Sequence, residues 1–117
     1  MAGSERLICA SDAVLEGGDG VRFPIETAWG DRTGFVVRYR GQVRAYVNRC
    51  AHVPVELDWQ PGKFFDDSGL YLICATHGAL YDPAGGYCLA GPCRGGRLPQ
   101  LEVVERDGNV FLIEQGE

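Results

Sequence analysis

A chain of 117 residues lies within the size range of one domain and buries roughly two thirds of the surface its unfolded form exposes, so it can fold alone but has little room for a second catalytic unit. Its 16 acidic residues against 11 basic ones leave a net charge of −5, which repels phosphate backbones and argues against nucleic acid as a partner. No charged n-region precedes a long apolar run at the start of the chain, and the longest apolar runs, such as residues 70–75, fall far short of the ~18 residues a membrane span needs.

The expected location is the cytoplasm, a reducing compartment in which five cysteines read as metal or redox chemistry before disulfides. An odd count still leaves room for one bridge plus three other thiols.

Seventeen glycines and six prolines, set among β-branched and aromatic residues, predict short strands joined by tight turns. In chain order the strands are expected over residues 6–9, 21–26, 34–39, 42–48, 70–74, 101–105 and 109–113. A short helical turn is expected near 11–16, capped by Ser11 or Asp12. Arg40-Gly41 separates the third strand from the fourth, and Arg106-Asp107-Gly108 separates the last two; Asp-Gly is a strong hairpin signal. Asp67-Ser68-Gly69 precedes the fifth strand, with residues 63–65 as its hairpin mate. No longer stretch carries apolar residues at helical spacing without an interrupting glycine or proline. The fold class is all-β, a small sandwich or barrel, in one domain spanning residues 1–117.

Two segments carry chemistry: Cys50-Ala51-His52 and Cys74-Ala75-Thr76-His77. The chain has two histidines, and each stands within three residues of a cysteine. Thiolate sulfur and imidazole nitrogen are strong donors to transition metals. Nearby glycines and prolines allow compact loops that aim both donors inward. The spacing alone leaves a tetrahedral zinc site open, although zinc knuckles commonly pair like ligands and here each loop offers one of each.

The pattern Cys-x-His followed by Cys-x-x-His resembles the Rieske [2Fe–2S] family, in which two histidines replace two cysteines on one iron. The second segment continues as His77-Gly78-Ala79-Leu80-Tyr81-Asp82, similar to that family's continuation. Gly91-Pro92-Cys93 falls where its proline loop covers the cluster, with Pro92 as the shield. The resemblance implies Cys50 and Cys74 on one iron, His52 and His77 on the other, a [2Fe–2S] cofactor, and a small Rieske-like β-sandwich with an inserted cluster-binding subdomain of two knuckle loops, about residues 48–93.

Several positions depart from the family pattern. The spacer between His52 and Cys74, residues 53–73, is longer than usual, which an extended hairpin would absorb at little entropic cost. Val55 and Thr76 stand where high-potential respiratory members carry a bridging cysteine pair, and Ala79 where they carry a serine that bonds to the cluster. Tyr81 matches the tyrosine that donates to a cysteine sulfur. This mixture implies a carrier of the ferredoxin type and not a respiratory-chain subunit.

Other residues have plainer readings. Cys88 and Cys93 are open between a pair, separate thiols and small apolar fillers; in a reducing cytosol the expectation is thiols or a labile bridge. Cys9 is read as core filler, and Trp29 and Trp59 as packing anchors, with Trp59 and its neighbours a candidate buttress of the first knuckle. Arg49, Arg94 and Arg97 are read as a solvated charge face before a positive rim for a partner.

The expected function is one-electron transfer between a reductase and an oxygenase or other redox partner, without catalysis by the chain itself. The alternative is a redox-sensing or electron-transfer subunit of a larger oxidoreductase complex. An oxygenase or a fragment of one is disfavoured, because a mononuclear iron needs two further histidines and both are already assigned.

Overall fold

Two-residue turns set the register of the sheets. In a computed structural model, which describes residues 4–27, 30–50, 55–58, 60–75, 78–91 and 95–114, strands β3 (Gly30–Tyr39) and β4 (Gln42–Val47) pair antiparallel with Tyr39 opposite Gln42. The two residues between them, Arg40 and Gly41, both have positive φ, 54° and 78°, the geometry that matches the strands' own twist. Arg40 is not a glycine, and its turn is supported from outside: the Glu16 carboxylate accepts the N–H groups of Arg40 and Gly41, each at 2.7 Å. Asp107 and Gly108 make the equivalent turn between β9 (Val103–Arg106) and β10 (Asn109–Glu114).

The remaining strands are β1 (Ser4–Ala10), β2 (Val21–Thr27), β5 (Leu72–Ile73), β6 (Leu80–Tyr81), β7 (Cys88–Ala90) and β8 (Gln100–Leu101). They assemble into three antiparallel sheets in the orders β1-β10-β9, β2-β3-β4-β8 and β5-β6-β7. A 3₁₀ turn, Ser11–Ala13, follows β1; its N-cap is Ala10, with no side-chain cap, so neither Ser11 nor Asp12 plays the capping part expected of it. No helix among the described residues is long and apolar enough to cross a membrane.

The four-stranded sheet is the middle layer. Successive side chains on a strand face opposite ways, so β3 and β4 serve two cores at once. Phe23, Ile25, Val36 and Ala45 pack with Val110 and Leu112 of the first sheet. Phe35, Val37 and Tyr46 pack on the other side with Leu57, Phe64, Leu72, Tyr81 and Leu98. Burial on both faces explains why Phe35-Val36-Val37 reads as an unbroken apolar run. Phe35 and Phe64 stack at 3.9 Å with 9° between their planes.

The expected all-β sandwich with an added subdomain is found, with informative differences. The strand expected from residue 34 begins at Gly30, because β2 pairs along its whole length down to Thr27 opposite Gly30. Gly34 is therefore inside the strand, with the Phe23 ring so close that a Cβ would lie 2.8 Å from it. The strand expected over 101–105 is two strands in two sheets: Leu101 pairs with Ala45, whereas Val103 pairs with Leu112. The strand expected over 70–74 shortens to Leu72–Ile73, and its mate is present as a bridge between Phe65 and Leu72. β6 and β7 were not expected; at two and three residues they carry no readable periodicity. Cys9 is half-buried against the first core, in line with a filler, and burial raises its thiol pKa.

Candidate metal centre

The loops after β4 and β5 carry the two cysteines and close in the same way. The N–H of Cys50 donates to the carbonyl of Val55 at 2.7 Å, and the N–H of Cys74 donates to that of Ala79 at 2.9 Å. In each case the acceptor lies five residues on, so each cysteine opens a short closed loop. In the second loop Gly78 N–H also returns to the Cys74 carbonyl at 2.7 Å.

Cys50 and Cys74 are 1% and 0% exposed and belong to one buried cluster. Neither is in a disulfide. Tyr81, fully buried on β6, places its hydroxyl 3.2 Å from Cys50 Sγ; against a thiolate sulfur the hydroxyl is the donor. His52 and His77 lie outside the described residues, as do Thr76, Pro92, Cys93, Arg94, Trp29 and Trp59. The structure thus brings together the two sulfur donors and the tyrosine, while the two imidazoles remain expectations from the sequence.

Tyr81 is held from behind. The Tyr46 hydroxyl, wholly buried, donates to the Pro83 carbonyl at 2.6 Å, and burial pushes the Tyr46 pKa up to about 12. It is a neutral donor at any ordinary pH. Gly86 lies against the same ring with φ +80°; a Cβ there would sit 2.8 Å from Tyr46 and 3.1 Å from the Leu98 carbonyl.

A third loop leans on the second. Cys88 N–H donates to the Gly96 carbonyl at 2.9 Å and Leu98 N–H to that of Gly86 at 2.8 Å, closing residues 86–98. Gly91 approaches so near that a Cβ on it would lie 2.9 Å from the Ala79 Cα. Cys88 is disulfide-bonded, which decides for a bridge among the alternatives the sequence left open. Arg97 is exposed, as the solvated-face reading expects, and at that surface it donates to the Tyr87 hydroxyl at 3.1 Å and the Gly85 carbonyl at 2.9 Å and stacks 4.4 Å over the Tyr87 ring.

Two buried polar residues beside the first loop escaped sequence reasoning. Asn48 and Asp58, 4% and 7% exposed, bond to each other at 2.8 Å. Neither belongs to a ligand pattern, and only Asn48, two residues before Cys50 at the end of an apolar strand, offered a signal as a polar residue out of place.

Two buried thiols converging from matched loops, one with a hydroxyl at its sulfur, suit a cofactor with two thiolate ligands. The sequence matches the Rieske [2Fe-2S] domain over residues 5–106. The chain belongs to the Rieske [2Fe–2S] family. Its cofactor is therefore a [2Fe–2S] cluster, which decides against the zinc site that spacing alone left open.

Among solved structures, this Rieske chain is similar to the ferredoxin of Sphingomonas yanoikuyae B1, with a TM-score of 0.72 and 25% identity over 97% of this chain and 100% of that one. It is also similar to the ferredoxin of carbazole 1,9a-dioxygenase from Nocardioides aromaticivorans IC177, with a TM-score of 0.71 and 20% identity over 96% and 99% of the two chains. A third likeness is to a complex of reduced oxygenase and oxidized ferredoxin in carbazole 1,9a-dioxygenase, with a TM-score of 0.71 and 21% identity over 97% of each chain. A comparison with curated proteins gives no match.

Proposed function

We propose that Cys50 and Cys74 hold one iron of the cluster and His52 and His77 the other, and that the chain passes single electrons between a reductase and an oxygenase or another redox partner. The observation that carries this is the pair of buried cysteines, each opening a loop closed onto the fifth residue, with the Tyr81 hydroxyl on one sulfur. Similarity along nearly the whole chain to ferredoxins, one of them in a complex with an oxygenase, supports the choice of partner. We read residues 1–117 as one Rieske domain with its cluster-binding part at about 48–93. The proposed compartment is the cytoplasm, whose reducing pool keeps cysteines ready to take iron.

The bound cluster supplies the one-electron chemistry, and the chain supplies the rest. It is a carrier and not itself a catalyst. Burial of Cys50 and Cys74 among Leu57, Leu72 and Tyr81 excludes water from the sulfur side of the site. Two imidazoles in place of two thiolates remove two negative charges, so adding an electron is easier than at a four-thiolate site. The Tyr81 hydroxyl, donating to a sulfur that gains negative charge on reduction, favours the reduced state.

Purified protein should be red-brown, with about two irons and two acid-labile sulfides per chain and an EPR signal after reduction by dithionite. Stoichiometric zinc without sulfide would end this reading. His52→Cys should move any surviving cluster to a markedly lower potential, and an unchanged EPR signal in that variant would remove His52 from the ligand set.

A further inference from the structure

Leu57 stands between the two cysteine loops with both backbone groups committed. Its N–H donates to Asn48 Oδ1 at 2.8 Å. Its carbonyl accepts the N–H of Ala75, the residue after Cys74, at 3.0 Å. Asn48 is itself anchored to the middle sheet, where its N–H donates to the Thr33 carbonyl of β3 at 2.7 Å. The Asn48 Nδ2 donates to Asp58 Oδ1 at 2.8 Å, while Asp58 Oδ2 accepts the Gly62 N–H at 2.9 Å and faces Arg22 Nε at 3.7 Å. These contacts fix the orientation of the amide, since the opposite one would set Nδ2 against the Leu57 N–H and Oδ1 against a carboxylate.

We propose that Asn48 is a positioning residue for the cluster, setting through Leu57 the separation of the Cys50 loop from the Cys74 loop. This rests on the assignment of Cys50 and Cys74 to one iron. Two sulfurs on one metal must converge within a few tenths of an ångström, which demands support from beyond the ligands themselves. Asn48 supplies it because it links both sides: by sequence it is two residues from Cys50, and through the Leu57 backbone it is two hydrogen bonds from Ala75. Both partners are buried, so losing the amide strands the Leu57 N–H and one Asp58 oxygen without water to replace it.

The test compares wild type, Asn48→Ala, the exchange Asn48→Asp/Asp58→Asn, and Val110→Ala. The exchange rebuilds each hydrogen bond: the introduced carboxylate accepts from the Leu57 N–H and from the introduced amide, whose oxygen accepts from Gly62. Val110 is fully buried in the other core and reports loss of stability alone. Readouts are iron and sulfide per chain, EPR g-values of the reduced protein, and the rate of iron release to a chelator. Asn48→Ala should shift the g-values and release iron about 10- to 100-fold faster. The exchange should restore both, and Val110→Ala should keep wild-type g-values despite lower stability. Wild-type g-values and release in Asn48→Ala, or an equal shift in Val110→Ala, would overturn the proposal. Should Asn48→Ala not fold, the exchange variant decides: wild-type g-values support the role and altered ones refute it. If the wild type itself lacks two irons and two sulfides, the ligand assignment fails and the inference with it; if only the inference fails, the wild-type count stands.

Discussion

Tyr81 and Ala79 lie on one stretch of chain beside the cysteine loops and differ in what they would offer a bound cluster. Tyr81 brings a hydroxyl to within 3.2 Å of Cys50 Sγ, whereas Ala79, fully buried, has none to offer. With no bridging cysteines at Val55 and Thr76 either, fewer dipoles favour the reduced state. We expect a potential in the lower half of the Rieske range, about −150 to +75 mV. Tyr81→Phe removes this donor and keeps the ring. A hydrogen bond that differs by about 1 kcal/mol between oxidation states is worth roughly 40 mV for one electron, since 59 mV is a tenfold change. The variant should therefore fall by about that much in a redox titration followed by visible absorption. A value unmoved by the substitution would show that this hydroxyl does not act on the redox centre.

The elements around the site are short and depend on close approach for their strength. β5, β6 and β7 together span seven residues, too few to be stable as an isolated sheet. They persist because Tyr46, Phe64 and Leu98 fill the space behind them. Gly86 is where this arrangement is tightest, being both in the left-handed region and against the Tyr46 ring. Gly86→Ala adds backbone strain to a steric conflict and should cost about 2–4 kcal/mol, read from urea unfolding midpoints. Because Tyr46 also holds Pro83, two residues from Tyr81, cluster retention should fall in the same variant. A destabilisation below about 1 kcal/mol would mean that the Tyr46 ring can yield.

At the scale of the whole molecule, Arg38 ties two sheets together away from the cysteine loops. Arg38 of β3 donates to the carbonyls of Val14 and Ser11 at 2.8 and 3.1 Å and to both carboxylate oxygens of Glu105 of β9 at 3.0 and 2.6 Å. The Arg38 hydrogen bonds hold the Glu105 pKa down to about 2, from an ordinary 4.5. A carboxylate with a depressed folded pKa stabilises fully above its unfolded pKa and loses that contribution as pH falls toward the folded one. Solvent reaches this pair, so its worth is about 1 kcal/mol or less. Glu105→Gln should therefore lower the melting temperature by an amount that is constant above about pH 5 and narrows below about 4.5. A gap that widens on acidification would contradict the pairing.

The sequence by itself determined the β3–β4 and β9–β10 hairpins through their turns and the cofactor class through the spacing of its Cys and His residues, which resembles the family pattern. Turn chemistry and ligand spacing are local, and a local pattern survives in one dimension. Even the hairpin between residues 63 and 74 was legible from Asp67-Ser68-Gly69. Only the tertiary structure decided that residues 101–105 divide between two sheets, since that depends on Ala45 and Leu112 arriving from opposite sides. It also decided that Asn48 and Asp58 are buried partners, that Glu16 supports a turn 24 residues away, and that Cys88 is in a disulfide. All but the disulfide rest on contacts between residues well separated along the chain, and a polar side chain looks the same in sequence whether water or another buried group satisfies it.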